Sequence, residues 1–155
     1  MALEIERRFL IKNDDWKKYI TKKIFIEQGY LSKSLDDWII RIRYTGKDFK
    51  IALKKHIASF TNFEFEYSIP QKDGETIMSN LSNKIKKERF FLEVEKKSWI
   101  IDCFKENNYP LEIAEIELSK EEEDLKLPSF ISNEITGMKH YSNFNLANKP
   151  FSEWK

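Results

Sequence analysis

The sequence is short of the residues that staple, break or hinge a chain: among 155 residues there are one cysteine, four glycines and four prolines. A single thiol, Cys103, excludes an internal disulfide and any zinc site built on clustered cysteines. In the run Trp99-Ile100-Ile101-Asp102-Cys103-Phe104 it reads as a packed strand position rather than a nucleophile. So little Gly and Pro leaves no flexible or proline-rich linker, and no repeat of solenoid period is present. Net charge is almost missing as well, because 27 Lys and Arg oppose 26 Asp and Glu. Without a basic field, a general binder of nucleic acid or of an anionic membrane is disfavoured. No apolar run approaches the roughly 20 residues of a membrane span. The opening Met1-Ala2-Leu3-Glu4-Ile5-Glu6 lacks the basic and apolar segments of a signal peptide, so a cytoplasmic protein with neither nucleic acid nor membrane as partner is expected.

What is present in quantity is charge and aromatic surface. Charged residues make up 34% of the chain and apolar ones 41%, including 12 Phe, 6 Tyr and 4 Trp. That is enough apolar surface for one domain spanning 1–155, and it argues against disorder. Charged and apolar residues alternate with period 2 in Leu3–Phe9, Ile40–Tyr44, Phe49–Lys54, Phe63–Tyr67, Lys87–Phe91, Trp99–Phe104 and Ala114–Leu118. Alternation is the signature of a strand with two unlike faces. With Ile24–Leu31 they make eight strands, with hairpin gaps at Thr45–Asp48 and around Lys55–Thr61. Helices are expected in four places. Asn13 caps a segment placing Trp16, Tyr19 and Ile20 on one face, and a second helix follows Asp73-Gly74 with Ile77, Leu81 and Ile85 at helical spacing. Ser119 with Glu122 suggests a capping box for a short acidic helix ended by Pro128, and a last turn or two fits Tyr141–Leu146.

The charges sort by sign. Glu4/Glu6, Glu64/Glu66 and Glu115/Glu117 are acidic pairs, whereas Arg41/Arg43 and Lys87/Arg89 are basic. Residues i and i+2 share one strand face about 7 Å apart, so each pair aims like charges at one side and costs repulsion unless something compensates. An open sheet with solvated charged faces is the plain alternative, but such a surface has little reason to exclude the opposite sign. The fold expected is therefore α+β: a closed antiparallel eight-stranded β-barrel, charged faces inward and helices packed outside. Arg and Lys can embrace a polyanion's oxygens, and carboxylates reach the same anion through a hard cation such as Mg²⁺ or Mn²⁺. The residues thus point to a metal-dependent polyphosphate site.

At these residues the sequence resembles the CYTH superfamily, the triphosphate tunnel metalloenzymes, which includes class IV adenylate cyclases, thiamine triphosphatases and inorganic tripolyphosphatases. Glu4-Ile5-Glu6-Arg7-Arg8 resembles the ExExK signature, with Arg8 in place of Lys. Gln28-Gly29-Tyr30-Leu31, Arg41-Ile42-Arg43 and Leu53-Lys54 are similar to the QGYL, RxR and LTIK elements. Glu64-Phe65-Glu66, Lys87-Glu88-Arg89, Asp102, Ala114-Glu115-Ile116-Glu117-Leu118 and Asn133-Glu134-Ile135-Thr136 follow in the family's order. Asn62 and Ile100 depart from the pattern, where a basic residue and a Glu are usual, and Ser129–Ser132 lacks the usual Trp and Gly. The resemblance implies that Arg8, Arg41, Arg43, Lys54, Lys87 and Arg89 grip a triphosphate-containing small molecule. It implies that Glu4, Glu6 and Glu117 ligate one divalent ion, while Glu64, Glu66, Asp102, Glu115 and Glu134 serve a second or orient water. Lys54 is then the catalytic candidate, orienting or deprotonating the attacking water.

Hydrolysis of inorganic tripolyphosphate by in-line attack is the first expectation. A cyclase making cAMP and pyrophosphate from ATP, a thiamine triphosphatase and a noncatalytic polyphosphate binder are the alternatives, and the resemblance leaves a homodimer open. Phe60, Phe63 and Tyr67 read as outward packing rather than a nucleobase platform, and His56 and His140 as surface residues.

Overall fold

Side chains that alternate between charged and apolar along one strand need two environments, and closing the sheet supplies both. The computed structural model describes residues 2–34 and 36–154. Its strands are β1 (Leu3–Ile11), β2 (Ile20–Tyr30), β3 (Ile39–Tyr44), β4 (Phe49–Ala58), β5 (Thr61–Ile69), β6 (Lys84–Val94), β7 (Lys97–Phe104), β8 (Glu112–Glu117) and β9 (Ile131–Glu134). They run β5-β4-β3-β2-β6-β7-β8-β1-β9, and β1 also pairs with β5, so eight antiparallel strands close on themselves. On its second edge β1 gives Leu3–Ile5 to β5 and, further along, Phe9 and Ile11 to β9. The eight expected strands are all present, and β9 is an addition that the sequence reading did not anticipate. No helix among the described residues is long and apolar enough to cross a membrane.

The outward apolar side chains of β1, β6, β7 and β8 lie under a cover. Phe9, Leu92, Val94, Trp99, Ile101, Ala114 and Ile116 pack with Trp16, Leu118, Phe130 and Ile131. Trp16 comes from a single 3₁₀ turn, Asp15–Tyr19, where Asn13 Oδ1 accepts from Asp15 N–H, and Ile20 belongs to β2. On the opposite side α1 (Gln71–Ser79) lays Met78 and Ile77 on Ile42, Phe49 and Ile51. A Cβ on Gly74 would stand 2.1 Å from Phe49 Cγ, so only glycine lets α1 come this close.

Two helix expectations are corrected. The second helix begins at Gln71, after Pro70, and has ended before Leu81; Ile85 lies in β6 with its side chain in the barrel. Proline's fixed φ favours a helix start, and the spacing of Leu81 and Ile85 was coincidental. No helix forms between Ser119 and Pro128, because Ser119 uses both its N–H and its hydroxyl on Glu123 Oε1, closing a local turn in place of a capping box. The expected terminal turns are a 3₁₀ turn at Lys139–Tyr141 and α2 (Asn143–Asn148), capped by Ser142 Oγ. Leu146 and Ile135 plug one end of the barrel against Ile85, Phe104, Leu111 and Ile113, while Trp154 docks on Tyr141 and Phe151.

Candidate active site

Register decides which charges meet. Opposed residues of an antiparallel pair project to the same side of the sheet. Arg8 is opposite Glu115, Glu6 opposite Glu117, Glu4 opposite Asn62, Lys54 opposite Glu64, and Arg89 opposite Asp102. Ala52, between Arg41 and Glu66, and Gln28 beside Arg43 complete the ring. The barrel interior is therefore lined by Arg8, Arg41, Arg43, Lys54, Lys87 and Arg89 facing Glu4, Glu6, Glu64, Glu66, Asp102, Glu115 and Glu117. Thirteen of the fourteen candidates share this interior, as the register of each strand requires.

 The exception is Glu134. It sits on β9 beside Phe9 and accepts from Arg7 Nε and Nη2 at 2.9 and 2.8 Å, on the outer face of β1. The structure does not bring it to the other carboxylates, because β9 pairs with β1 in the opposite phase to the acidic pairs.

Two ion clusters organise the interior. In the first, Lys54 Nζ lies 2.6 Å from Glu4 Oε1 and 3.6 Å from Glu6 Oε1, and Asn62 Nδ2 donates to the same Glu4 oxygen. Burial raises the pKa of Glu4 and of Glu6, only partly offset by Lys54, and neighbouring carboxylates add to the rise. Glu117 is raised by burial and then by Glu4 and Glu6. Against the opposing effect of burial, Glu6 and Glu4 raise the Lys54 pKa, so this side chain stays an ammonium. It is a fixed positive charge, which favours the orienting role over proton abstraction.

In the second cluster the Asp102 carboxylate is fully buried and holds Lys87 Nζ at 2.7 Å and Arg89 Nε and Nη2 at 2.8 and 2.9 Å. Although burial opposes it, Arg89 and then Lys87 hold the Asp102 pKa far below the carboxylate range. Arg43 donates to Gln28 Oε1 and is pushed down to about 9 by burial, then by Arg41 and Arg89.

Among the described residues, Arg8 and Arg41 are incompletely paired. Arg8 bonds Glu115 Oε2 at 3.1 Å and the Tyr141 carbonyl at 2.9 Å, yet its Nη2 is buried without a partner. Arg41 reaches Glu66 at 3.1 Å and Glu64 at 4.0 Å, and its Nε is likewise buried and unpaired. Both border a cavity of about 520 Å³ that Glu6 and Lys54 also line. A buried donor without an acceptor is costly, and an anion that either guanidinium turned to meet would remove the cost.

The cavity wall also holds residues that the sequence reading left out: Tyr30, Thr136, Lys139, Ser142 and Asn143. Tyr30 continues the inward phase of β2 and was legible in the alternation; Lys139 to Asn143 come from an irregular segment with no period to read. Phe63 and Tyr67 on β5 face outward, Phe63 stacked on Trp38, whereas Phe60 and His56, expected on the outside, border the cavity. Cys103 lies beside Glu112, and burial followed by that carboxylate pushes its thiol up to about 12.

The donor chemistry suits a small hard cation. The interior carboxylates offer only oxygen, and three of them have pKa values raised by burial and by one another, a surplus that a divalent ion would relieve. Among the described residues, no three acidic, histidine or cysteine side chains converge closely enough to hold an ion as they stand.

A closed barrel lined with cationic and acidic strands defines a tunnel for a polyanion. No protein-family profile matches the chain. An inorganic triphosphatase from Acetivibrio thermocellus is 32% identical over 157 residues, covering 100% of this chain and 99% of that protein. Among solved structures, the inorganic triphosphatase NE1496 superposes with a TM-score of 0.67 at 25% identity, covering 95% of each chain. HpAC1 from Hippeastrum, with a dominant triphosphatase activity, has a TM-score of 0.58 at 13% identity over 77% of this chain and 80% of its own, a likeness of fold alone. The chain belongs to the triphosphate tunnel metalloenzymes, the CYTH family.

Proposed function

We propose that this protein hydrolyses inorganic triphosphate inside the barrel, releasing phosphate and pyrophosphate. The observation that carries the reading is that Arg8 and Arg41 border one cavity with Lys54 while each keeps a buried guanidinium donor without a partner among the described residues. The full-length likeness to an inorganic triphosphatase supports the same substrate.

In this reading Arg8, Arg41 and Lys54 hold the phosphate chain directly. Arg43, Lys87 and Arg89 add a positive field from deeper in the barrel. Glu115 and Asp102 fix the orientation of Arg8, Lys87 and Arg89. Glu4, Glu6 and Glu117, with Glu64 and Glu66, would hold Mg²⁺ or Mn²⁺. A divalent ion bound there neutralises phosphate charge and lowers the pKa of water. The chain's own contribution is positioning and charge: phosphoryl transfer needs in-line alignment and stabilisation of the equatorial oxygens, which fixed guanidinium and ammonium groups provide. Lys54, held as an ammonium between Glu4 and Glu6, orients the anion and the attacking water.

The test is phosphate release from tripolyphosphate, pyrophosphate, ATP and thiamine triphosphate with Mg²⁺ or Mn²⁺, with cAMP measured in parallel. Tripolyphosphate should be the best substrate and activity should vanish with chelator. Cyclic AMP as the main product from ATP, or binding of tripolyphosphate with no release, would overturn the proposal.

A further inference from the structure

Lys87 is fully buried and does not border the cavity, whereas Asn143, which does, is bonded to it. Its Nζ gives one hydrogen bond to Asp102 Oδ2 at 2.7 Å and another to Asn143 Oδ1 at 3.0 Å, with the Phe104 ring 5.4 Å away. Asn143 therefore stands between this ammonium and any anion in the cavity.

The orientation of the amide follows from hydrogen-bond chemistry. A lysine ammonium only donates, so the amide must turn its oxygen to Lys87 and its NH₂ elsewhere. Among the described residues that NH₂ has no hydrogen-bond partner. The same short segment supplies the Tyr141 carbonyl that accepts from Arg8 Nη1, and Arg8, a residue of the cavity wall, keeps its Nη2 buried and unpartnered among the described residues. Tyr141 to Asn143 thus touches two of the site's cations and presents a donor beside them.

Resting on the triphosphate reading above, we infer that Asn143 is a substrate-binding residue: its Nδ2 donates to a phosphoryl oxygen while its Oδ1 holds Lys87. The lysine polarises the amide, so its N–H groups are stronger donors than those of a solvated asparagine. The buried positive charge reaches the substrate through the amide, and Lys87 keeps its bonds to Asp102 and Asn143 throughout.

A Lys87→Met background separates binding from anchoring, because it leaves Asn143 nothing to anchor; a carboxylate at 143 would not, since its charge alone repels the anion. If Asn143 only anchors Lys87, adding Asn143→Ala to Lys87→Met leaves KM for tripolyphosphate unchanged. If Nδ2 meets phosphate, the addition raises KM about tenfold while kcat stays within about threefold, and the calorimetric Kd rises in parallel. Should the double variant not fold, as thermal midpoints report, Asn143→Ala in the wild-type background must raise KM likewise. A KM within about twofold of the parent protein in either folded variant overturns the assignment. A wild-type protein that neither binds nor hydrolyses tripolyphosphate sinks the underlying triphosphate reading instead.

Discussion

Asp102→Asn is the sharpest test of how the barrel tolerates so much internal charge. The wild-type carboxylate has no exposure and neutralises Lys87, equally buried, together with Arg89, whose side chain is 12% exposed. An amide of the same shape leaves both cations short of their counter-charge. Removing one partner of a buried ion pair costs about 3–5 kcal/mol, and with two cations on one carboxylate the upper part of that range, about 4–5 kcal/mol, is expected. For a chain of this length each kcal/mol moves the thermal midpoint by about 2–4 °C, so a fall of about 10–15 °C is predicted by circular dichroism. Replacing the whole cluster with Lys87→Met, Arg89→Leu and Asp102→Leu should recover most of the loss, because no uncompensated charge remains. The folded Asp102 pKa lies below its unfolded value, so its stabilisation is complete above the unfolded pKa of about 4 and is lost as pH falls through the folded value. Wild type and variant should therefore converge only in strong acid. A midpoint change below about 3 °C at pH 7 would refute the account of Asp102 as the neutralising centre.

The remaining predictions use the same geometry. Glu4→Gln and Lys54→Ala should each lower tripolyphosphate turnover more than about tenfold, about 1.4 kcal/mol in the barrier; full activity in both would remove the first ion cluster from the site. In the metal-free protein burial raises the Glu4 and Glu6 pKa values, so NMR of the two carboxylates should show proton uptake beginning above the ordinary Glu value of 4.5, and saturating Mg²⁺ should move it down. Glu134→Gln removes the charge that pairs with Arg7 on the outer face and keeps an oxygen for the Thr136 hydroxyl, and a steady-state assay should show kcat/KM within about twofold of wild type. At the β6–β7 turn Glu95 and Lys96 both adopt positive φ, 49° and 66°, so Lys96→Gly should raise stability by about 1 kcal/mol in a urea titration.

Legibility from the sequence followed length and phase. Strands such as Leu3–Ile11 and Lys84–Val94 carry many alternating residues, so their inward charges were readable one by one. β9 has four residues and one buried side chain, Ile131, too few to set a phase; this is why Glu134 was grouped with carboxylates it does not meet. Helical spacing misled at Leu81 and Ile85 because three matching positions can arise across a helix, a loop and a strand. The ion pairs within the barrel were not readable, since sign alone does not tell which cation a carboxylate holds: Asp102 serves Lys87 and Arg89, and Glu115 serves Arg8. The wall from Thr136 to Asn143 is irregular, and its contribution depends on where the barrel end happens to bring it.

The divided edge of β1 also sets the order of assembly. Its partners lie at residues 61–63, 113–117 and 131–134, so none exists when the ribosome has made only β1. The neighbouring hairpins β3–β4, β4–β5 and β6–β7 join adjacent segments and can zip as they emerge, whereas β1 must wait for residues 61–63 before its first partner exists and for nearly the whole chain before all three do. Contacts this distant in sequence slow folding. Until closure the strand offers a free edge and two glutamates whose counter-charges have yet to arrive, and the acidic pair that serves the finished tunnel also discourages that edge from pairing with another chain.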